Sequence, residues 1–167
     1  MTTGTNNTLI GGLAGDALTT GQSNTVVGYN ALSQEDTGHR NVAIGQNALS
    51  ALNTDAIAYN TAVGYSAGSV MTTGVQNTLI GGLAGDALTT GSFNVAIGYS
   101  ALSSEDNHGK NIAIGYRALS SQNAGAEAFN VAIGFDSGRQ ISTGTENTLI
   151  GGEAGDAIVK SSGVTIT

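Results

Sequence analysis

The chain's only two histidines lie in matching stretches seventy residues apart, each beside a pair of acids and a cation. Ser33–Arg40 reads SQEDTGHR and Ser103–Lys110 reads SSEDNHGK. The first offers Glu35, Asp36, His39 and Arg40; the second offers Glu105, Asp106, His108 and Lys110. A carboxylate pair can divide general-acid and general-base work, and an imidazole titrates near neutrality. Neighbouring acids on one short loop, however, have no rigid element to push their pKa values apart, and neither histidine has a fixed partner in the sequence. The eight residues therefore read as solvated loop tips and as candidate receptor contacts, because loops carried on a rigid scaffold are where recognition concentrates. No Ser/His/Asp order, phosphate loop or metal-ligand spacing occurs in the chain. An enzyme is not expected, and no catalytic residue, cofactor or metal is assigned.

One further motif touches metal chemistry. GGLAGDAL at Gly11–Leu18 partly matches the GGxGxDxUx nonapeptide of calcium β-rolls, but Ala14 stands where that motif has its third glycine. Its acid recurs only as Asp86 and Asp156, at seventy-residue steps, so adjacent turns cannot share an ion. A turn in which the aspartate caps backbone amides is the reading adopted.

Bulk properties narrow the classes. The net charge is −7, and Arg40, Lys110, Arg117, Arg139 and Lys160 are the only Lys or Arg residues, too few and too scattered to track phosphates. Nucleic-acid binding is not expected. No apolar run approaches the ~18 residues of a membrane span, so membrane insertion is not expected either. Cysteine, proline and tryptophan are absent and glycine is 26 of 167 residues, so no disulfide or thiolate site is available. Charged residues are 10% of the chain, against roughly 25% in ordinary soluble domains, which implies that part of the surface faces other copies.

These loops must be positioned by something, and the repeat supplies it. NTLIGGLAGDALTTG at Asn7–Gly21 recurs unchanged at Asn77–Gly91 and in altered form from Asn147. Inside this 70-residue period lies a shorter unit, Asn followed by three apolar or Thr residues and Gly, which occurs nine times along the chain. The starts are Asn7, Asn24, Asn41, Asn60, Asn77, Asn94, Asn111, Asn130 and Asn147, in steps of 17, 17, 19 and 17, twice over. Residues 1–167 thus form a single repeat domain, with super-repeats at 7–76 and 77–146 and a partial third at 147–167. Regular short units of this kind stack into a quasi-one-dimensional object.

The second and fourth columns are Thr, Val or Ile throughout, which suits a pleated strand, and an invariant fifth-column Gly would cost about 1 kcal/mol per unit in a helix. The prediction is an all-β parallel solenoid, a β-roll or β-helix of nine 17–19-residue coils, roughly 43 Å long at ~4.8 Å per coil. The nine asparagines are expected to form a structural ladder, their amides bonding to the asparagine above and below. With the second and fourth columns taken as the inward face, the third (Leu9, Val26, Ala43, Ala62, Leu79, Ala96, Ala113, Ala132, Leu149) points outward, and its apolar character predicts burial against other copies.

Several strings resemble known repeats. IGQNAL (Ile44–Leu49) is similar to the hexapeptide of left-handed β-helix acyltransferases, in which His39 or His108 would be the base, though only one hexapeptide per coil is recognisable. NVAIGQNAL (Asn41–Leu49) and NIAIGYRAL (Asn111–Leu119) resemble the repeats of trimeric autotransporter adhesin heads. NTAVGYSAG (Asn60–Gly68) and Thr19–Gly28 resemble repeats of phage and phage-like tail fibre proteins, and the likeness runs from Thr5 to Ile158. It implies a homotrimeric structural fibre, a shaft or head of a viral tail fibre or surface adhesin, on the virion or outside the cell. Its loops would then meet a host-surface glycan or protein. A self-assembling extracellular filament is the nearest alternative. An ice-binding solenoid is a further one, argued from the Thr-rich second column.

Overall fold

The computed structural model describes residues 2–55, 57–157 and 162–166. Of the partial third unit, residues 158–161 and 167 lie outside the described residues, as does Ala56 in the third coil. The chain is all-β, with no helix among the described residues. Ten short strands, β1 (Thr8–Ile10), β2 (Thr25–Val27), β3 (Val42–Ile44), β4 (Thr61–Val63), β5 (Thr78–Ile80), β6 (Val95–Ile97), β7 (Ile112–Ile114), β8 (Val131–Ile133), β9 (Thr148–Ile150) and β10 (Thr165–Ile166), form one parallel sheet in chain order. This is a β-solenoid in which each coil adds one strand.

The register follows the columns: Thr8 pairs with Thr25, Ala43 with Ala62, Ala113 with Ala132. The two 19-residue coils keep that register because their extra residues lie after the inward side chains Leu52 and Gln122, in the loop. β10 is a strand beyond the nine expected. There Val164 takes the asparagine place, and its N–H still bonds Asn147 Oδ1 at 3.0 Å.

Each of β1 to β9 stops after three residues because its glycine turns the backbone to φ between +128° and +145°, a region that side chains avoid. Space forbids a side chain as well, since a Cβ on Gly11 would lie 2.7 Å from the Gly28 carbonyl oxygen one coil on.

The inward face is not the one expected. Val26, Ala43, Ala62, Leu79, Ala96, Ala113, Ala132 and Leu149 are all fully buried within the single chain, so the third column is core and not an interface. The second and fourth columns point outward, half-buried or exposed, with Ile10 58% and Ile150 44% exposed. Asparagine explains the parity. Its side chain must lie inside to reach the next coil, and the third residue of the same strand points the same way. The rest of the core comes from the turn after the glycine, where Ala31, Leu32, Ala48, Leu49, Ala101, Leu102, Ala118 and Leu119 are buried. A final inward rank comes from the twelfth residue of each coil: Leu18, Leu52, Met71, Leu88 and Ile141.

Candidate functional site

The asparagine ladder runs the length of the rod, with a chemistry different from the amide-to-amide bonding expected. Each Oδ1 accepts the backbone N–H of the next asparagine, from Asn24 on Asn7 (2.9 Å) through Asn60 on Asn41 (3.1 Å) and Asn130 on Asn111 (3.2 Å) to Asn147 on Asn130 (2.9 Å). In six of the coils Nδ2 donates to a carbonyl fourteen residues on, as Asn24 does to Gly38 and Asn60 to Gly74, whereas Asn111 Nδ2 donates to the Gly109 carbonyl and Asn41 Nδ2 is buried without a partner. Direct amide-to-amide bonds occur at Asn77 on Asn60 (3.3 Å) and Asn147 on Asn130 (3.1 Å). Eight of the nine, from Asn24 to Asn147, are buried, and Asn7 is half-buried at the first coil. The ladder therefore satisfies backbone donors that would otherwise be orphaned in the core.

The two acidic loops depart from the solvated tips expected. Glu35 and Glu105 are fully buried. Both occupy the twelfth place of their coils, in the inward rank otherwise filled by Leu, Met, Ile or, one coil beyond Glu105, Gln122. A carboxylate stays there only if backbone amides hold it. Glu35 has them: its Oε1 accepts the Gly38 N–H at 2.7 Å and its Oε2 accepts the Thr54 N–H, one coil on, at 3.1 Å. Burial still pushes its carboxyl above the ordinary range, with the Gly38 and Thr54 amides pulling the other way.

Glu105 sits in the same place with less support. The His108 N–H reaches Oε1 at 3.3 Å, and Oε2 has no hydrogen-bond partner. The Ala124 amide, counterpart of Thr54, favours the charged form without closing a hydrogen bond. Burial again raises the carboxyl's pKa. The cause of the difference is one transposition, Gly38-His39 against His108-Gly109. Gly21, Gly38, Gly74, Gly91 and Gly144 fill the fifteenth place in their coils, where space is short: a Cβ on Gly38 would stand 2.6 Å from Glu35 Oε1. His108 occupies that place in the sixth coil, so its Cβ holds the Glu105 carboxylate away from the amides. Its imidazole Nδ1 then lies 3.6 Å from Glu105 Oε1. The donor atoms of Glu105, Asp106 and His108 all fall within 4.8 Å of one another. His39, one place later, turns elsewhere, and its Nδ1 accepts the Gln22 N–H at 2.8 Å.

The remaining predicted contact residues are partly engaged. Asp36 and Asp106 are half-buried, and their carbonyls accept the Thr19 and Thr89 N–H groups of the preceding coils. Arg40 lies over the Tyr59 ring and donates to its hydroxyl at 2.5 Å, while Lys110 lies 5.1 Å from the Phe129 ring centre and pairs with Glu127. His39 and Arg40 also line a surface pocket of about 190 Å³ with Gln22, Ser23 and Ile57. The capping expected of the repeat aspartates takes other forms: Asp156 accepts from Arg139, which holds its pKa low, and Asp86 Oδ1 is buried without a partner.

Two features went unread in the sequence. Tyr99, Tyr116 and Phe135, each just after its strand glycine, stack with ring centres 5.7 and 5.1 Å apart. Arg117, Asp136, Arg139 and Asp156 form a continuous ion-pair chain on one edge. Both would have been visible on aligning the coils by column, since Arg117 and Asp136 share the seventh place and Arg139 and Asp156 the tenth.

No family model matches the chain, and neither the curated proteins nor the solved structures contain a match. Among the described residues no helix is long and apolar enough to cross a membrane.

Proposed function

We propose that the chain is a structural fibre segment, a shaft or head built to stack and to associate with its own copies. One observation carries this reading. The outward second and fourth columns present β-branched side chains along the whole sheet, with Ile80, Ile112, Ile133 and Ile150 at least 36% exposed and no charged residue in either column. A long, charge-free apolar face on a rigid sheet is what an interface between copies needs. The order of three, the virion or extracellular setting and contact with a host-surface glycan or protein come from the sequence resemblance alone. Light scattering after size exclusion should give about three times the 16.6 kDa chain mass. Ile97→Lys with Ile114→Lys should yield monomers that keep the β-type circular dichroism. A wild-type monomer at micromolar concentration would overturn the reading.

A second reading has its own support. Thr8, Thr25, Thr61, Thr78 and Thr148 all belong to the outward second column, in register, on the same face. A flat rank of hydroxyl and methyl groups is what an ice-binding surface offers, and a thermal-hysteresis assay decides it. Activity in the wild type that Thr61→Tyr abolishes would favour this reading over the fibre.

A further inference from the structure

We propose that Glu105, Asp106 and His108 form a binding site for a divalent transition-metal ion, with Zn²⁺ as the probe, on the edge of the sixth coil. Two carboxylates and an imidazole are a donor set suited to zinc and its first-row neighbours, and unlike the all-oxygen sets that calcium takes.

The first support is geometric. Ligands each about 2.0–2.2 Å from one zinc ion lie roughly 3.3 Å apart at the tetrahedral angle. His108 Nδ1 and Glu105 Oε1 are 3.6 Å apart and all three donors lie within 4.8 Å, so their separations need to close by between about 0.3 and about 1.5 Å to meet on one ion. The three residues fall within four positions of one short loop, and the His108 side chain keeps 27% of its surface exposed, which leaves a path for entry.

The second support is independent of that cluster geometry. The Glu105 side chain has no exposed surface, yet its Oε2 has no hydrogen-bond partner, and His108 Nδ1 likewise has none. Buried polar atoms without partners are rare, and each calls for an explanation. The molecule contains its own control seventy residues earlier. Glu35, in the same place of an equivalent coil, spends both oxygens on amides, and His39 Nδ1 is occupied by the Gln22 N–H. In the loop with the transposed histidine Nδ1 lies 3.6 Å from Glu105 Oε1, while in the control loop the unpartnered buried atom is Asp36 Oδ1 and the histidine is engaged elsewhere. A cation held between the Glu105 carboxylate and the imidazole would supply Nδ1 with the partner it lacks.

The experiment uses the untagged full chain, first stripped with EDTA. Zn²⁺ should bind saturably by calorimetry and raise the melting temperature by several degrees, as any ligand of the folded state does. EDTA should reverse the shift. Co²⁺ should give visible absorption bands of a protein-bound ion, a readout of coordination that needs no variant. His108→Ala and Asp106→Asn should weaken Zn²⁺ binding tenfold or more, while His39→Ala should leave it unchanged. Asp106 is half-buried on the loop, so its variant should keep the fold even if His108→Ala does not. The site is refuted if wild-type chain gives no saturable Zn²⁺ binding, as a trapped water would produce. Binding lost in His39→Ala and kept in both other variants would refute it equally. Neither result bears on the oligomer mass that tests the fibre.

Discussion

The loop around Glu35 and the loop around Glu105 start from almost the same residues and end in different chemistry. Both put a glutamate into a rank of the core that elsewhere holds leucine, methionine, isoleucine or, at Gln122, glutamine. In the second coil the carboxylate folds over Gly38 and caps two amides, 2.7 and 3.1 Å away. In the sixth, His108 fills the glycine's place, the one amide bond left is 3.3 Å, and even the ladder is stretched there, with Asn94 Nδ2 3.3 Å from the His108 carbonyl. The comparison shows what fixes a buried charge in a solenoid. It is the room that a glycine leaves for the carboxylate to reach backbone donors, more than the identity of the acid.

The largest test of this contrast removes each acid in turn, in EDTA. Glu35→Ala leaves the Gly38 and Thr54 N–H groups without their acceptor, at about 1–3 kcal/mol for each buried donor. Glu105→Ala exposes one weak bond only. Both lose the same volume and the same desolvation cost, so these cancel in the difference. Denaturant unfolding should therefore show Glu35→Ala less stable than Glu105→Ala by about 2 kcal/mol. Equal losses would mean that the two carboxylates are held alike.

A smaller effect isolates the glycine. Gly38→Ala places a methyl group against the Glu35 carboxylate and should push it outward, as His108 does to Glu105. Crowding of this kind costs about 1–3 kcal/mol. The loss should largely vanish in a Glu35→Ala background, and a double-mutant cycle measures that coupling directly. A Gly38→Ala penalty of the same size in both backgrounds would place the strain elsewhere, at the Gly38 backbone itself.

Much of the architecture was legible in the sequence, and the parts that were not have definite causes. Nine Asn-x-x-x-Gly units with steps of 17 and 19 define the stack, the strand positions and the loops. They leave open which parity of the strand faces inward, since Thr, Val and Ile suit either face. The asparagine decides it, because only an inward amide can reach the next coil's N–H, and Ala113 then becomes core. β10 escapes the pattern because Val164 stands where the other units have asparagine. Glu35 and Glu105 look like loop residues when read beside Asp36 and Asp106. Counted from Asn24 and Asn94 they are twelfth, in line with Leu18 and Leu88, and that alignment marks them as buried. The meeting of His108 with Glu105 depends on a one-residue transposition whose outcome follows only from the crowding at the fifteenth place.

The smallest expected effect is the pH dependence of the second-coil loop. Burial raises the Glu35 carboxyl above its ordinary value of 4.5, so the folded chain keeps that proton to a higher pH than the unfolded chain does. The stability this contributes is fully present below 4.5 and is lost as pH rises through the folded-state value. Asp156 works in the opposite sense, because the Arg139 hydrogen bond holds its pKa below 3.8, and its contribution disappears only as pH falls through that lower range. As pH falls from neutrality toward 4.5 the first effect acts without the second, whose range lies below 3.8. The melting temperature should therefore rise by a few degrees at most on acidification through this window. Glu35→Gln cannot ionise and keeps an oxygen for the Gly38 amide, so its rise should be smaller than that of the wild type. An identical pH profile for the two chains would show that Glu35 is already neutral at pH 7 or ionised at no cost, and either result would remove the burial penalty from this loop.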